Sequence, residues 1–172
     1  MGNMIVRSAE ETDLGNLVEL SLSLQQHLEA SNPRIWRLTE EGRKSWKQEV
    51  EEMLSDQDGR LVIAEKDDHI VGFAYGRILR RTDYRPLVVG DISRIYVLQQ
   101  YRRRGVGTRL IEELCQFFSS ANAQEVTLRY VLGNEEAERF WHNLWIRPVL
   151  VTASTDLKEL KENICMRHLH MS

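Results

Sequence analysis

Residues 91–118 read DISRIYVLQQYRRRGVGTRLIEELCQFF, and the order of features in this stretch decides the fold. The apolar segment from Ile92 to Val97 predicts a strand, and a basic turn with two glycines follows it. Apolar residues then recur at helical spacing up to Phe118, which predicts an amphipathic helix. A helix that starts directly after such a turn leaves its first backbone N–H groups unpaired and directed at the turn. Together with the helix dipole, these groups form a site for an anion such as a phosphate.

The turn has the pattern Arg102-x-x-Gly105-x-Gly107. This pattern, preceded by the strand residues Ile95, Tyr96 and Val97, resembles the acetyl-CoA pyrophosphate loop of the GCN5-related N-acetyltransferases, the GNAT family. In that family the backbone of the turn holds the pyrophosphate, and the strand pairs its main chain with the pantetheine amides. The resemblance therefore implies that acetyl-CoA is the cosubstrate and that it is bound by Ile95, Tyr96, Val97, Arg102, Arg103, Arg104, Gly105, Val106, Gly107 and Thr108.

Two familiar phosphate-binding motifs fit the basic turn less well. A P-loop requires Gly-Lys-Ser/Thr at the end of the turn, whereas this helix opens with Gly107, Thr108 and Arg109. A dinucleotide-binding fold requires three spaced glycines and an acidic residue about 20 residues further on. The arginines could also form a solvated turn or a nucleic-acid patch.

Asn134 starts a second stretch that resembles the family. The segment Asn-Glu-Glu-Ala-Glu-Arg-Phe-Trp is similar to the family's Asn-x-x-Ala-x-x-Phe-Tyr, in which the asparagine contacts the pantetheine or a nearby phosphate. The resemblance implies cofactor contacts from Asn134 and Trp141. A plain N-cap role for Asn134 is the alternative.

Trp141 occupies the position where many family members have a tyrosine that protonates the departing thiolate. An indole N–H donates a hydrogen bond but is not an acid near neutral pH. We therefore predict a different general acid, with Tyr130 first, and Tyr96 or Tyr84 as further substitutes. Alternatively, the thiolate leaves unprotonated, or takes its proton from water or from the amine.

Asp91 is the candidate general base. A primary amine with a pKa of about 10.4 is mostly protonated at pH 7, so attack on a thioester requires removal of a proton. Asp91 lies six positions before Val97, on the same face of a regular strand, which resembles where some family members have a catalytic glutamate. A strand-end carboxylate in solvent or paired with an arginine is the alternative.

Composition limits the class of protein. The 172 residues predict a single domain over residues 1–172, with 42% hydrophobic and 28% charged residues as in ordinary globular chains. The net charge of −3 argues against a dedicated nucleic-acid binder, and no apolar run reaches the length of a membrane span. We expect a cytoplasmic protein without a metal, and Cys115 and Cys165 are predicted to be reduced core thiols.

The element order predicts an α/β fold. The strands are expected at Met4–Arg7, Leu61–Lys66, Ile70–Leu79, Leu87–Val97, Val126–Leu132, Val149–Thr152 and Ile164–Leu169. Helices are expected from Leu14 to about Leu28, after Thr39, after the basic turn and after Asn134. This order resembles the GNAT fold, which implies a mixed, mostly antiparallel, twisted sheet of about six or seven strands flanked by about four helices.

The leading functional hypothesis is an N-acetyltransferase that moves an acetyl group from acetyl-CoA to a primary amine in a ternary complex. The acceptor is a small-molecule amine or a peptide or protein amine, and a homodimer is possible. Trp36, Trp46 and Tyr84 lie in the regions that line the acceptor side in the family, although the tryptophans also suit the core. The second hypothesis is a non-catalytic acyl-CoA binding or sensing module, motivated by Trp141 and by the absence after Leu144 of the Gly-Phe that the family often has.

Overall fold

The computed structural model describes residues 4–169, apart from the side chains of Arg34, His168 and Leu169. The chain divides into two compact units, Met1–Asn134 and Glu135–Ser172. The first unit contains the sheet and the basic turn, and the second contains two helices. The single domain expected from chain length remains a prediction.

Five strands form one sheet in the order β1-β2-β3-β4-β5. Strands β1 to β4 are antiparallel neighbours, and β5 runs parallel to β4. Their bounds are Met4–Ser8 for β1, Gly59–Lys66 for β2, His69–Arg80 for β3, Val88–Val97 for β4 and Glu125–Leu128 for β5.

The helices of the first unit are α1 (Leu14–Ser31), α2 (Pro33–Trp36), α3 (Glu40–Lys44), α4 (Trp46–Ser55) and α5 (Val106–Ser120). The second unit contains α6 (Glu135–Asn143) and α7 (Leu157–Leu169). Helix α5 is the crossover between the parallel strands β4 and β5, a connection that two parallel neighbours require. Thr39 caps α3, because its hydroxyl accepts a hydrogen bond from the Gly42 N–H at 3.1 Å.

Helices α1 and α4 cover one face of the sheet. Their apolar stripes contribute Leu17, Leu20, Leu24, Val50 and Met53 to a buried cluster. The sheet contributes Leu61, Ile63, Phe73 and Tyr75 to the same cluster. Because side chains alternate across a strand, the even-numbered residues around Gly76 face the other way.

Helix α5 covers the second face of the sheet and approaches it closely at two glycines. A Cβ on Gly76 would lie 2.6 Å from the Phe118 ring, and a Cβ on Gly90 would lie 2.5 Å from it. The two glycines therefore provide the space in which Phe118 lies, with 2% of its surface exposed. The sheet is thus covered by helices on both faces, which fixes the start of α5 beside the end of β4.

The C-terminal prediction of two more strands is wrong. Residues 149–152 have no regular secondary structure, and residues 164–169 belong to α7. Helix α7 forms because Asp156 accepts hydrogen bonds from the N–H groups of Lys158 (2.8 Å) and Glu159 (3.3 Å), ahead of a run of good helix formers. The sheet therefore has five strands in the described part of the chain, fewer than expected.

Two other boundaries differ. Strand β5 ends at Leu128 rather than Leu132. The single helix expected after Thr39 is divided at Ser45 into α3 and α4. The mixed, mostly antiparallel sheet between helices is otherwise as the sequence predicted.

The prediction of core positions for the cysteines is wrong, because Cys115 and Cys165 are both exposed free thiols. On α5 the buried stripe is centred on Leu110, Leu114 and Phe118 with Ile111 at its margin, and Cys115 lies about 40° beyond Ile111. Partial burial, with a smaller effect from Glu112, raises the pKa of the Cys115 thiol.

A buried carboxylate holds β1, β2 and the start of α1 together. Arg7 donates to Asp13 through both terminal nitrogens, at 2.7 and 2.9 Å, and its Nε donates to Glu65 at 3.2 Å. The hydrogen bonds from Arg7 hold the pKa of Asp13 below its usual value. This cluster stabilises the edge of the sheet opposite β5.

Candidate active site

Half of β4 has a strand neighbour on one side only. Strand β5 pairs with β4 from Val89 to Ile92 and ends there. In the register with β3, Tyr75 is opposite Arg94 and Gly76 is opposite Ile92, so Ser93 is an extra residue that forms a bulge. From Arg94 to Val97, no strand in the described residues adjoins β4 on the β5 side.

The main-chain groups on this side of β4 belong to Ile95 and Val97, and of these the Val97 carbonyl accepts a hydrogen bond from Arg102. The Leu98 N–H donates to the Val71 carbonyl at 2.9 Å, so the main chain of Leu98 is directed toward β3. Because these directions alternate along an antiparallel strand, the N–H and C=O groups of Ile95 and Val97 point away from β3. The two N–H groups and the Ile95 carbonyl have no strand partner in the described residues, and they form an open edge of the kind that an extended ligand pairs with.

Arg102 joins the basic turn to the end of β4. Its Nε donates to the Val97 carbonyl at 2.8 Å, and its guanidinium lies 5.4 Å from the centre of the Tyr96 ring. This half-buried side chain therefore holds the turn against the open edge. A direct contact of Arg102 with a cofactor remains a prediction.

The turn adopts the backbone that its glycine predicts. Arg103 and Gly105 have positive φ angles of 57° and 79°, and α5 starts at Val106. An added Cβ on Gly105 would meet no atom within 4 Å, so the backbone angle rather than space favours glycine there. Buried Val106, 2% exposed, fixes the first turn of α5 to the core.

The start of α5 suits an anion. The first main-chain bond of the helix runs from the Arg109 N–H to the Gly105 carbonyl, so the N–H groups of residues 105–108 precede the intrahelical pattern. Arg103 and Arg104 are exposed in the same turn. Backbone donors, the helix dipole and two cations at one place fit a pyrophosphate group.

Asp91 lies at the junction of β4 and β5, just before the bulge. Its Oδ2 accepts a hydrogen bond from the Ser93 hydroxyl at 2.7 Å, and its Oδ1 accepts one from the Thr127 hydroxyl at 3.3 Å. Thr127 is its direct neighbour in β5. An ionised carboxylate has about four acceptor positions, so these two hydroxyls orient Asp91 and leave capacity for a proton.

The prediction that Asp91 shares a face with Val97 is wrong. Asp91 is opposite Arg77 in β3, whereas Val97 is opposite Gly72, and residues 72 and 77 point to different faces. The extra residue at Ser93 reverses the alternation, so Asp91 shares its face with Arg94 and Tyr96. This is the face that α1 and α4 cover.

The charged side chain of Glu49, on α4, reaches the same face. Arg94 pairs with Glu49, and its guanidinium lies 5.2 Å from the centre of the Trp46 ring. Trp46 is buried, which matches the core alternative for this residue, and Trp36 is half-buried. Tyr84 is 76% exposed in the loop between β3 and β4.

Tyr75, opposite Arg94, donates a hydrogen bond to Asp56 at 2.5 Å. Burial and then the hydrogen bond to Asp56 raise the pKa of Tyr75 above its usual value. This hydroxyl therefore stays protonated near neutral pH and has a structural role between β3 and the end of α4.

The remaining predicted residues lie after β5. Tyr130 is half-buried two residues beyond the end of β5, and not on a strand as expected. Asn134 directly precedes α6, and its N–H donates to the Val131 carbonyl at 3.1 Å. In the second unit, Trp141 is 3% exposed and its ring centre lies 4.7 Å from that of Phe140.

Sequence reasoning missed Ser93, Thr127 and the Glu49–Arg94 pair. Ser93 and Thr127 belong to the site only because of a bulge and a strand register. The sequence signal for Ser93 was its hydroxyl two residues after Asp91. Nothing in the sequence indicated Thr127.

No group of three or more His, Cys, Asp or Glu side chains within residues 4–169 is arranged to hold a metal ion. Over the same range, none of the helices combines the length and apolar character that crossing a membrane requires.

Known proteins are similar to this chain in sequence. An N-alpha-acetyltransferase from Sulfurisphaera tokodaii is 31% identical over 106 residues, which span 58% of this chain and 64% of that protein. The chain thus matches less than two thirds of the length of this relative. An uncharacterized N-acetyltransferase from Archaeoglobus fulgidus is 27% identical over 139 residues, covering 80% of this chain and 89% of that protein.

Solved structures are similar in fold. A tetramutant of the BH1408 protein from Bacillus halodurans has a TM-score of 0.79 at 17% identity, covering 89% of this chain and 99% of that chain. The aminoglycoside N-acetyltransferase AAC(6')-Iy in complex with CoA has a TM-score of 0.73 at 18% identity, covering 91% of this chain and 95% of that chain. These likenesses establish the acyltransferase fold that the sequence predicted.

Residues 22–144 match the acetyltransferase (GNAT) family. The matched region contains the open edge of β4, the basic turn, the start of α5 and Asn134. The chain therefore belongs to the GNAT family of acetyltransferases.

Proposed function

We propose that this protein is an N-acetyltransferase that transfers the acetyl group of acetyl-CoA to a primary amine by direct attack in a ternary complex. The observation that carries the proposal is the open edge of β4, formed by the N–H groups of Ile95 and Val97 and the Ile95 carbonyl, beside the N–H groups at the start of α5. An extended amide-containing arm and a pyrophosphate are the two groups that such an arrangement suits. Membership of the GNAT family supports acetyl-CoA as the cosubstrate.

In this proposal the main chain near Val97 binds and orients the thioester. A backbone N–H on the open edge donates to the thioester oxygen and stabilises the charge that develops on it. The residues of the turn from Arg103 to Thr108 hold the phosphates, and Arg102 keeps the turn in place. Holding both substrates in one geometry removes much of the entropic barrier.

Asp91 is the general base of the proposal. It accepts a proton from the attacking amine directly or through a water molecule, the nitrogen forms a bond to the carbonyl carbon, and the bond from carbon to sulfur breaks. Its half-buried position beside the end of β5 and its two hydroxyl donors support this role. The thiolate receives its proton from Tyr130, from water or from the amine.

A small-molecule amine is the acceptor that we favour. Solved neighbours include aminoglycoside acetyltransferases, one of them with a bisubstrate analogue. The relative from Sulfurisphaera tokodaii is an N-alpha-acetyltransferase, so a peptide N-terminus is the alternative acceptor. The cytoplasmic location remains an expectation from the sequence.

A second candidate function is acyl-CoA binding without turnover. It is favoured by Trp141, a buried indole that cannot serve as an acid. This alternative predicts tight CoA binding and no acetylated product with any amine.

The test is product formation from acetyl-CoA and a mixed panel of small amines and peptides, followed by mass spectrometry, with calorimetric titration of acetyl-CoA alongside. A thiol-reactive dye also reports CoA release, but the exposed Cys115 and Cys165 require an enzyme-only blank. Binding with an acetylated product supports the transferase. Binding without product supports the sensing module, and absence of binding contradicts both.

A further inference from the structure

Arg77 is a cation beside the candidate base that the proposed function does not use. It lies in β3 directly opposite Asp91 in β4, so both side chains point to the same face of the sheet, with Cβ atoms about 4.5–5.5 Å apart. Opposite charges in such a position commonly form an ion pair. Among the described residues of the first unit, 4–134, none forms a hydrogen bond or ion pair with the Arg77 guanidinium. Asp91 and Arg77 are therefore neighbours that are not paired with each other.

The hydroxyl groups around Asp91 explain why this pair does not form. Thr127 is in β5, on the side of β4 that is remote from β3, and its hydroxyl donates to Asp91 Oδ1 at 3.3 Å. The Ser93 hydroxyl donates to Oδ2 at 2.7 Å. Both carboxylate oxygens thus have hydroxyl donors in place of the guanidinium. Arg77 keeps all the N–H groups of its guanidinium for another anion.

A second arginine on the same face is already neutralised. Arg94 pairs with Glu49, and its guanidinium lies 5.2 Å from the centre of the Trp46 ring. Arg94 is opposite Tyr75, and Arg77 is two residues further along β3. Burial raises the pKa of Tyr75, and the positive charges of Arg77 and Arg94 act against that rise, so both charges lie near its hydroxyl. Of these two arginines, Arg77 is the one that can bind a further anion.

A carboxylate next to an unpaired guanidinium matches the two charges of a zwitterion. The ammonium form of an acceptor amine is attracted to Asp91, which then takes its proton. A carboxylate on the same acceptor molecule can accept two parallel hydrogen bonds from the Arg77 guanidinium. A neutral amine would leave Arg77 unused, and a polycationic amine would be repelled by it. The two side chains together therefore favour an acceptor that carries both groups.

We propose that the acceptor is a small molecule with an amine and a carboxylate a few bonds apart, as in an amino acid, and that Arg77 binds its carboxylate. This inference rests on the proposed function and narrows its acceptor. The amine nitrogen bonds to the acetyl carbon, the bond from carbon to sulfur breaks, and Asp91 receives the amine proton. The carboxylate is not altered in the reaction. Arg77 is thus a specificity-determining residue.

The test compares each common amino acid with its carboxamide, which keeps the amine but lacks the negative charge. The wild type should have a higher kcat/KM for its best amino acid than for the matching carboxamide. Arg77→Gln should lower the ratio of these two kcat/KM values about 10- to 100-fold, mainly by raising the KM of the amino acid. The two amines differ in basicity, but this difference cancels when the ratio is compared between two proteins. Arg77→Lys should keep part of the preference, because the charge remains.

Arg60→Gln is the matched control. Arg60 is in β2, opposite Gly76, and its guanidinium lies 5.2 Å from the centre of the Phe117 ring on α5, on the other face of the sheet. The same loss of charge there should leave the ratio unchanged, and neither substitution should change the KM for acetyl-CoA.

The outcomes separate this inference from the proposed function. A wild type that prefers the carboxamides, or a ratio that Arg77→Gln leaves unchanged, would overturn the role of Arg77 while acetyl transfer itself still stands. Absence of acetylated product with every amine, carboxamides included, would contradict the proposed function, and the inference would fall with it.

Discussion

The two halves of β4 have the same partner on one side and different surroundings on the other. From Val89 to Ile92 the strand lies between β3 and β5, and its main-chain groups are used within the sheet. From Arg94 to Val97 it has β3 alone, and the basic turn follows after a short 3-10 helix, Gln99–Tyr101. The candidate site therefore lies where the pairing with β5 stops. Asp91 is on the half of β4 that has strands on both sides, which we call the closed half, and the open edge is on the other, open half.

The largest effect on activity should come from removing the charge of Asp91, on the closed half of β4. Asp91→Asn keeps the shape of the side chain but removes the proton acceptor, so kcat/KM for the amine should fall by about 100- to 1000-fold. The KM for acetyl-CoA should change little, because the open edge and the turn are intact. Steady-state kinetics with both substrates varied measure this.

Asp68→Asn is the control for that substitution. Asp68 lies in the exposed turn between β2 and β3 with a φ of 62°, a conformation that asparagine tolerates. Its kinetics should equal those of the wild type. A loss of less than tenfold for Asp91→Asn would remove Asp91 from the mechanism.

A substitution in the turn tests the open half. Gly105→Ala places a Cβ on a residue with a φ of 79°, which costs about 1–2 kcal/mol for an L-residue and displaces the N–H groups at the start of α5. The Kd for acetyl-CoA should rise roughly tenfold in calorimetry. Gly15→Ala, in α1 with open space around its Cβ position, should leave binding unchanged. Equal effects of the two substitutions would contradict the special role of the turn.

The hydroxyls that hold Asp91 connect the two halves and should have smaller effects. Thr127→Val and Ser93→Ala should each lower kcat about 3- to 10-fold, since the carboxylate loses one of its two hydroxyl donors. In a protein that already carries Asp91→Asn, the same substitutions should lower kcat almost no further. Effects that multiply independently would assign the two residues a role other than positioning Asp91.

The smallest effect on activity should come from the edge of the sheet farthest from β5. Asp13→Asn removes the buried partner of Arg7 and should lower the free energy of unfolding by about 2 kcal/mol, with kcat unchanged. The wild-type contribution is present above the unfolded-state pKa of about 3.9 and is lost as the pH falls through the lower pKa of the folded protein. Denaturant unfolding at several pH values should therefore show that the free energies of unfolding of the wild type and of Asp13→Asn become equal in acid.

Much of the first unit follows from local patterns. The strand bounds of β2, β3 and β4 and the start of α5 were predicted within two residues, because apolar periodicity and turn residues act over short distances. The prediction for the C-terminal segment was wrong because its apolar residues were assigned to buried strands. In the structure Leu157–Leu169 is a helix, the side chains of residues 157–167 are exposed, and capping by Asp156 decided the outcome.

The sequence by itself determined the basic turn before α5, since Gly105, the arginines and the following helix belong to one continuous stretch of backbone. Only the tertiary structure decided which side chains surround Asp91. The bulge at Ser93 reverses the faces of β4, and the register with β5 brings Thr127 to the carboxylate. Both depend on pairing between strands that are distant in the chain, and a shift of one residue in that pairing would send every side chain to the opposite face.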